Sequence, residues 1–81
     1  MPTVLRTGPY RIYFHSHEPS EPPLVHVDRD DDSAKFWLLS VRLARNLGFS
    51  PKELRAIERL VSEHRDILLE AWNDYFGSES R

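Results

Sequence analysis

Eighty-one residues, 40% apolar and 11% aromatic, suffice for one small domain and leave no room for a second. With 11 basic and 13 acidic side chains the net charge is −2, so nothing pulls the domain as a whole onto nucleic acid or an anionic membrane, and any phosphate-binding surface has to be local. The lack of cysteine excludes disulfides, thiolate metal sites and a cysteine nucleophile.

The opening Met1-Pro2-Thr3-Val4-Leu5-Arg6 has no basic segment followed by an apolar stretch, so no signal peptide is expected there. No apolar run approaches the roughly 20 residues of a membrane span, and a cytoplasmic protein is the expectation. Residues 3–6 read as a short strand, and Gly8-Pro9 signals a turn. The next strand is aromatic and β-branched, with Tyr10, Ile12 and Phe14 on one face and Arg11, Tyr13 and His15 on the other. A hairpin across Thr7–Pro9 joins the two. His17 to Pro23 holds three prolines, which cannot donate to a ladder, and reads as a loop. Leu24 to Val27 alternates again, with Val25 and Val27 opposite Leu24 and His26. Arg29 to Ser33 reads as a solvated turn, and Ala34 to Leu39 returns as a strand to make a second hairpin.

Residues 41–47 fit two periods. Val41, Leu43 and Leu47 suit alternation, Val41, Ala44 and Leu47 suit a helical turn, and the reading leans to a short strand or extended segment ending at Gly48. Ser50-Pro51-Lys52-Glu53 is a capping box with proline at the first helical position, and Phe49 and Leu54 stand where a hydrophobic staple needs them. The Ser50 hydroxyl is expected to accept from the Glu53 amide, and the Glu53 carboxylate to reach back to the Ser50 amide. Leu54, Ile57, Val61, His64, Leu68, Trp72 and Tyr75 then recur at steps of three or four, one apolar stripe, and Gly77 suits the end. A straight helix over 51–76 would be about 39 Å long at 1.5 Å per residue, so a bend or split near Glu63–Asp66, or a projecting end, is expected. A projecting end would offer Leu69, Trp72 and Phe76 to a partner. The expected fold is therefore α+β: one domain over 1–81, with a small antiparallel sheet of about four strands in residues 1–47, a long C-terminal amphipathic helix, bent or split, in 50–76, and a frayed tail in 77–81.

His26 is the candidate acid or base, since imidazole titrates near neutral pH; the competing reading is a hydrogen-bonded strand histidine. His64, on the helix stripe, reads more readily as a core or interface residue. His15 and His17 could share a face, yet no third ligand stands at diagnostic spacing and no metal site is expected. The run Asp28, Asp30, Asp31 and Asp32 lacks the glycine and distal glutamate of a calcium loop and reads as a hairpin turn. Lys35 and Trp37 share one face of their strand and, with Arg11 and Tyr13, could form a basic-aromatic surface that stacks bases and holds phosphates. The competing reading lays Trp37 under the helix with Lys35 snorkelling past it.

Glu21-Pro22-Pro23-Leu24-Val25-His26-Val27, with Met1 to Arg6, Ala34-Lys35-Phe36-Trp37-Leu38 and Glu63-His64-Arg65…Leu69-Glu70-Ala71-Trp72, resembles the bacterial domain-of-unknown-function 4160 family. Its most specific motif is Pro-Pro-His-Val-His-Val followed by Ala-Lys-Phe-Trp. The resemblance implies a small cytosolic protein of a type II toxin–antitoxin module, this chain being the toxin and an antitoxin-like protein its partner. The resemblance does not specify the chemistry; what such toxins commonly do suggests a ribonuclease-like, RNA-directed activity or another translation-blocking one. On that reading His26 acts with Lys35, helped by Arg11 or His64, with Tyr13 and Trp37 on the substrate side and no cofactor. Leu24 stands where the family's first motif histidine falls. Positions 24 and 26 point the same way about 6.5–7 Å apart, so two imidazoles there could share acid and base roles. Leucine can do neither, which implies an inactive or weakened member. The alternative is a non-catalytic protein–protein interaction module with structural histidines, a homo-oligomer included. A nucleic-acid-binding regulator is a third reading, disfavoured by the near-neutral charge.

Overall fold

Five strands and then two helices follow one another in the computed structural model, which describes residues 3–14 and 22–76. Strand β1 (Thr3–Thr7) turns into β2 (Tyr10–Tyr13) through Gly8-Pro9 alone, since Thr7 pairs with Tyr10. Gly8 sits at φ 57°, a left-handed conformation that glycine enters at little cost, and Pro9 sets the following φ. β3 (Leu24–Arg29) and β4 (Asp32–Trp37) meet across an equally short loop, Asp30-Asp31. Asp30 lies at φ 55°, which aspartate tolerates better than most side chains.

A fifth strand, β5 (Arg42–Leu47), corrects the count of four. The segment with two possible periods is extended because it pairs along β4, whose edge a helical turn would leave open. Its entry is unusual: Val41 takes φ 52°, uncommon for a β-branched residue, and packs against the core, which holds it there. Its exit needs a glycine. Gly48 is at φ 109°, and a Cβ there would run into the Asp32 side chain. The sheet is an antiparallel meander in the order β1-β2-β3-β4-β5.

Helix α1 (Pro51–Glu63) starts as its sequence dictates, with the Ser50 Oγ accepting from the Glu53 amide at 3.2 Å. Such a cap is worth about 1 kcal/mol. The other half of the box is not made. The Glu53 carboxylate instead accepts from Arg29 Nη2 at 2.8 Å and from the Tyr10 hydroxyl at 2.8 Å, with Arg29 Nε ion-paired to it at 2.6 Å. A charged guanidinium outbids a single amide for that carboxylate. The contact ties the first turn of the helix to β2 and β3.

The helical region is split, one of the outcomes expected from its length. α1 ends at Glu63, His64 falls out of regular geometry (φ −106°, ψ 13°), and α2 (Arg65–Phe76) continues. The His64 Nδ1 lies 2.9 Å from the Leu60 carbonyl, which also accepts the His64 amide at 3.2 Å. A side chain entering the i−4 ladder in this way bends a helix. No helix among the described residues is long and apolar enough to cross a membrane.

Alternation divides the sheet. Ile12, Val25, Val27, Ala34 and Phe36 face the helices and are buried against Leu38, Phe49, Ile57, Val61 and Leu68. Phe14, Leu24 and Trp72 form a second buried cluster, with Trp37 and Ala71 against it. The stripe read from the sequence is thus buried at Ile57, Val61, Leu68 and Trp72 and reaches the core's margin at Tyr75, 43% exposed with its ring edge-on to Phe14 at 5.4 Å. Trp72 accordingly offers no docking surface: its ring meets Phe14 edge-on at 5.4 Å. The expected Phe76 contact, the tail at 77–81 and most of the proline loop lie outside what the structure describes.

Candidate functional site

Register decides what the other face of the sheet brings together. Tyr13 pairs with His26, His26 with Lys35, and Lys35 with Arg45, so one transverse row crosses β2, β3, β4 and β5. Paired residues in antiparallel strands share a face, and this row lies opposite the helix-covered residues. A bulge contributes. Phe36 pairs with Leu43 and Lys35 with Arg45, which leaves Ala44 as the extra residue and turns Arg45 back onto the row.

The row is stacked. The His26 ring lies 5.2 Å from the Tyr13 ring at 18°, and the Arg11 guanidinium carbon is 4.6 Å from the Tyr13 centroid. Lys35 Nζ stands 5.3 Å from the centre of the Trp37 ring. The Tyr13 hydroxyl donates to Asp28 Oδ2 at 2.9 Å and is also bonded to Ser33. Burial first, then the bond to Asp28 and its charge, push the phenol up to about 12. Tyr13 is therefore a fixed neutral platform at neutral pH, not a base. His26 is half-buried, with Nε2 closed off from solvent.

Between the side chains lies a hollow of about 430 Å³, lined by Tyr13, His26, Ser33, Ala34, Lys35, Trp37, Ala44, Arg45 and Leu47. That is the size of a small-ligand pocket. Its charged groups are cations, Lys35 and Arg45, and its aromatic walls are Tyr13 and Trp37. Such a set can hold an anionic group and stack a planar one.

Several residues singled out from the sequence meet here and others do not. His26, Lys35, Tyr13 and Trp37 line the hollow, and Arg11 stands over Tyr13. Trp37 is not under the helix: it is on this face, half-buried because its ring packs toward the Phe14–Leu24–Trp72 cluster. Leu24 shares the face by register, yet it is fully buried in that cluster and does not line the hollow. A pair of ligand-facing imidazoles at 24 and 26 is therefore not the arrangement this backbone presents. His64 is elsewhere, at the junction of the helices with its ring bonded to Leu60. His15 and His17 lie outside the described residues. Of the acidic run, Asp30 and Asp32 sit 3.7 and 3.6 Å from Arg29, while Asp28 serves Tyr13.

Sequence reading missed Arg45, Ser33 and Asp28. Ser33 and Asp28 were hidden in what read as a turn, because a loop of only two residues extends both strands toward it. Arg45 was hidden by the bulge, which breaks the alternation by which it would have been assigned a face.

Comparison with curated proteins and with solved structures yields no match. A family model, Domain of unknown function (DUF4160), matches residues 10–73, a span that runs from β2 through most of α2 and contains every residue of the hollow. The chain belongs to the DUF4160 family.

Proposed function

We propose that this chain is the toxin component of a type II toxin–antitoxin module and that its bare sheet face is where it engages RNA. The observation that carries the reading is the row Tyr13–His26–Lys35–Arg45 beside Trp37, which sets two cations and stackable rings around one hollow. The domain has a net charge of −2, so a local cationic hollow is the form a phosphate site has to take here. Single-stranded RNA suits it, because unstacked bases lie on aromatic rings while lysine and arginine hold the backbone. If the activity is cleavage, His26 is the acid or base, and Lys35 and Arg45 balance charge on the phosphate. Leu24, sealed in the apolar cluster, lies apart from these groups.

Binding of a fluorescein-labelled single-stranded RNA, followed by anisotropy at several salt concentrations, tests the reading. Lys35→Ala should weaken binding and reduce the slope of log affinity against log salt by about 0.7, the single-strand value for one phosphate contact. His26→Ala should abolish growth arrest on expression while RNA binding persists. No detectable binding at low salt, or growth arrest unaltered in both variants, sinks the reading.

A further inference from the structure

The outer wall of the hollow is also the last strand of the sheet. β5 supplies Ala44, Arg45 and Leu47 to the lining, pairs with β4 alone among the described residues, and has all six of its residues exposed. Its outward edge has no strand partner among the described residues and forms a template on which an extended chain can add.

Two observations narrow the occupant. The rim is cationic, since Arg42 and Arg45 lie on β5 with Lys35 paired to Arg45, and β5 carries no acidic residue. Leu43, paired with Phe36 on the face opposite Arg42 and Arg45, stays 44% exposed, which gives an alternating partner strand an apolar residue to cover. A second copy fits poorly. Pairing β5 with itself would set Arg42 and Arg45 of both copies on adjoining strands, where like charges repel. The same arginines that guard the edge against self-association select a strand of opposite sign.

We infer that β5 is the docking edge for an extended acidic segment of a partner protein, which adds as a sixth strand with its carboxylates against Arg42 and Arg45. Arg45 also lines the hollow, so docking would remove one of its two cations and compete with RNA. That competition rests on the RNA reading; the docking itself does not.

The test uses the full chain and three end-blocked peptides: Glu-Val-Glu-Val-Glu-Val-Glu, its lysine counterpart, and an acidic version with proline for each valine. The last keeps the charge but cannot donate to a ladder from those positions. Anisotropy reads affinity, and hydrogen–deuterium exchange reads the amides of residues 42–47. The acidic valine peptide should bind, slow exchange in β5, and exceed the other two by about tenfold or more; Arg42→Glu with Arg45→Glu should reverse the preference toward lysine. Equal binding of the proline peptide, unchanged exchange in β5, protection appearing on β1 instead, or β5 protection that grows with protein concentration alone would each overturn the inference. A chain that binds the peptide but no RNA overturns the RNA reading and leaves the docking edge standing. One that binds RNA but not the peptide does the reverse.

Discussion

The two faces of one sheet are built by opposite means. The helix-covered face is aliphatic and aromatic, and its order comes from exclusion of water: Ile12, Val25, Val27 and Phe36 sit at 0–1% exposure under α1 and α2. Among the described residues no helix lies over the row on the other face, yet Tyr13 there is only 7% exposed. Its cover comes from neighbours in the row, His26 stacked on it and Arg11 over it, and from hydrogen bonds to Asp28 and Ser33. A domain this small can bury one face with helices. It holds the second in place by side chains that stack across strands, and that leaves the second face open to a ligand.

The comparison breaks most visibly at the core. Phe36→Ala removes a ring from the centre of the covered face and should cost about 3–5 kcal/mol in urea unfolding. If it cost less than 1 kcal/mol, the covered face would not be what holds the fold. Leu24→His probes the boundary between the faces. The imidazole would enter a sealed apolar cluster, so a loss of about 2–4 kcal/mol is expected. A stable Leu24→His variant with a solvent-titrating imidazole would show that position 24 opens into the hollow after all.

On the open face, absorbance titration should find one of the three tyrosines ionising near pH 12, and Asp28→Asn should bring it down. The folded pKa is raised above the unfolded value of about 10. The contribution to stability is therefore complete below pH 10 and lost as pH rises from 10 to 12. A Tyr13 that titrates near the ordinary phenol value of about 10 would mean the stack is not rigid. The smallest effect concerns Glu53, whose carboxyl Arg29 and then Tyr10 hold below its ordinary value of 4.5. A lowered folded pKa stabilises above the unfolded pKa and is lost as pH falls through the folded one. Glu53→Gln should therefore flatten the decline of melting temperature below about pH 4.5 and leave RNA binding unchanged. An equally steep acid decline in the variant would move that dependence to other carboxylates.

Much of this molecule was legible in its sequence because the relevant signals are local. Strict alternation placed Ile12 and Phe14 inside and Tyr13 on the other face, and Ser50-Pro51 started α1 where the cap chemistry demands. A helical span over 51–76, about 39 Å if straight, called for a bend or split or a projecting end, and the break falls at His64. The tertiary structure alone decided what depends on partners distant in the chain. Glu53 left its own cap for Arg29, a charge 24 residues away, because a guanidinium holds a carboxylate more firmly than one amide does. Leu24 became core because α2 carries Trp72 over that end of the sheet, a contact between residues 48 apart that no period of 2 or 3.6 encodes. Arg45 joined His26 and Lys35 because strand pairing with a bulge, and not spacing, sets which side chains meet across a sheet.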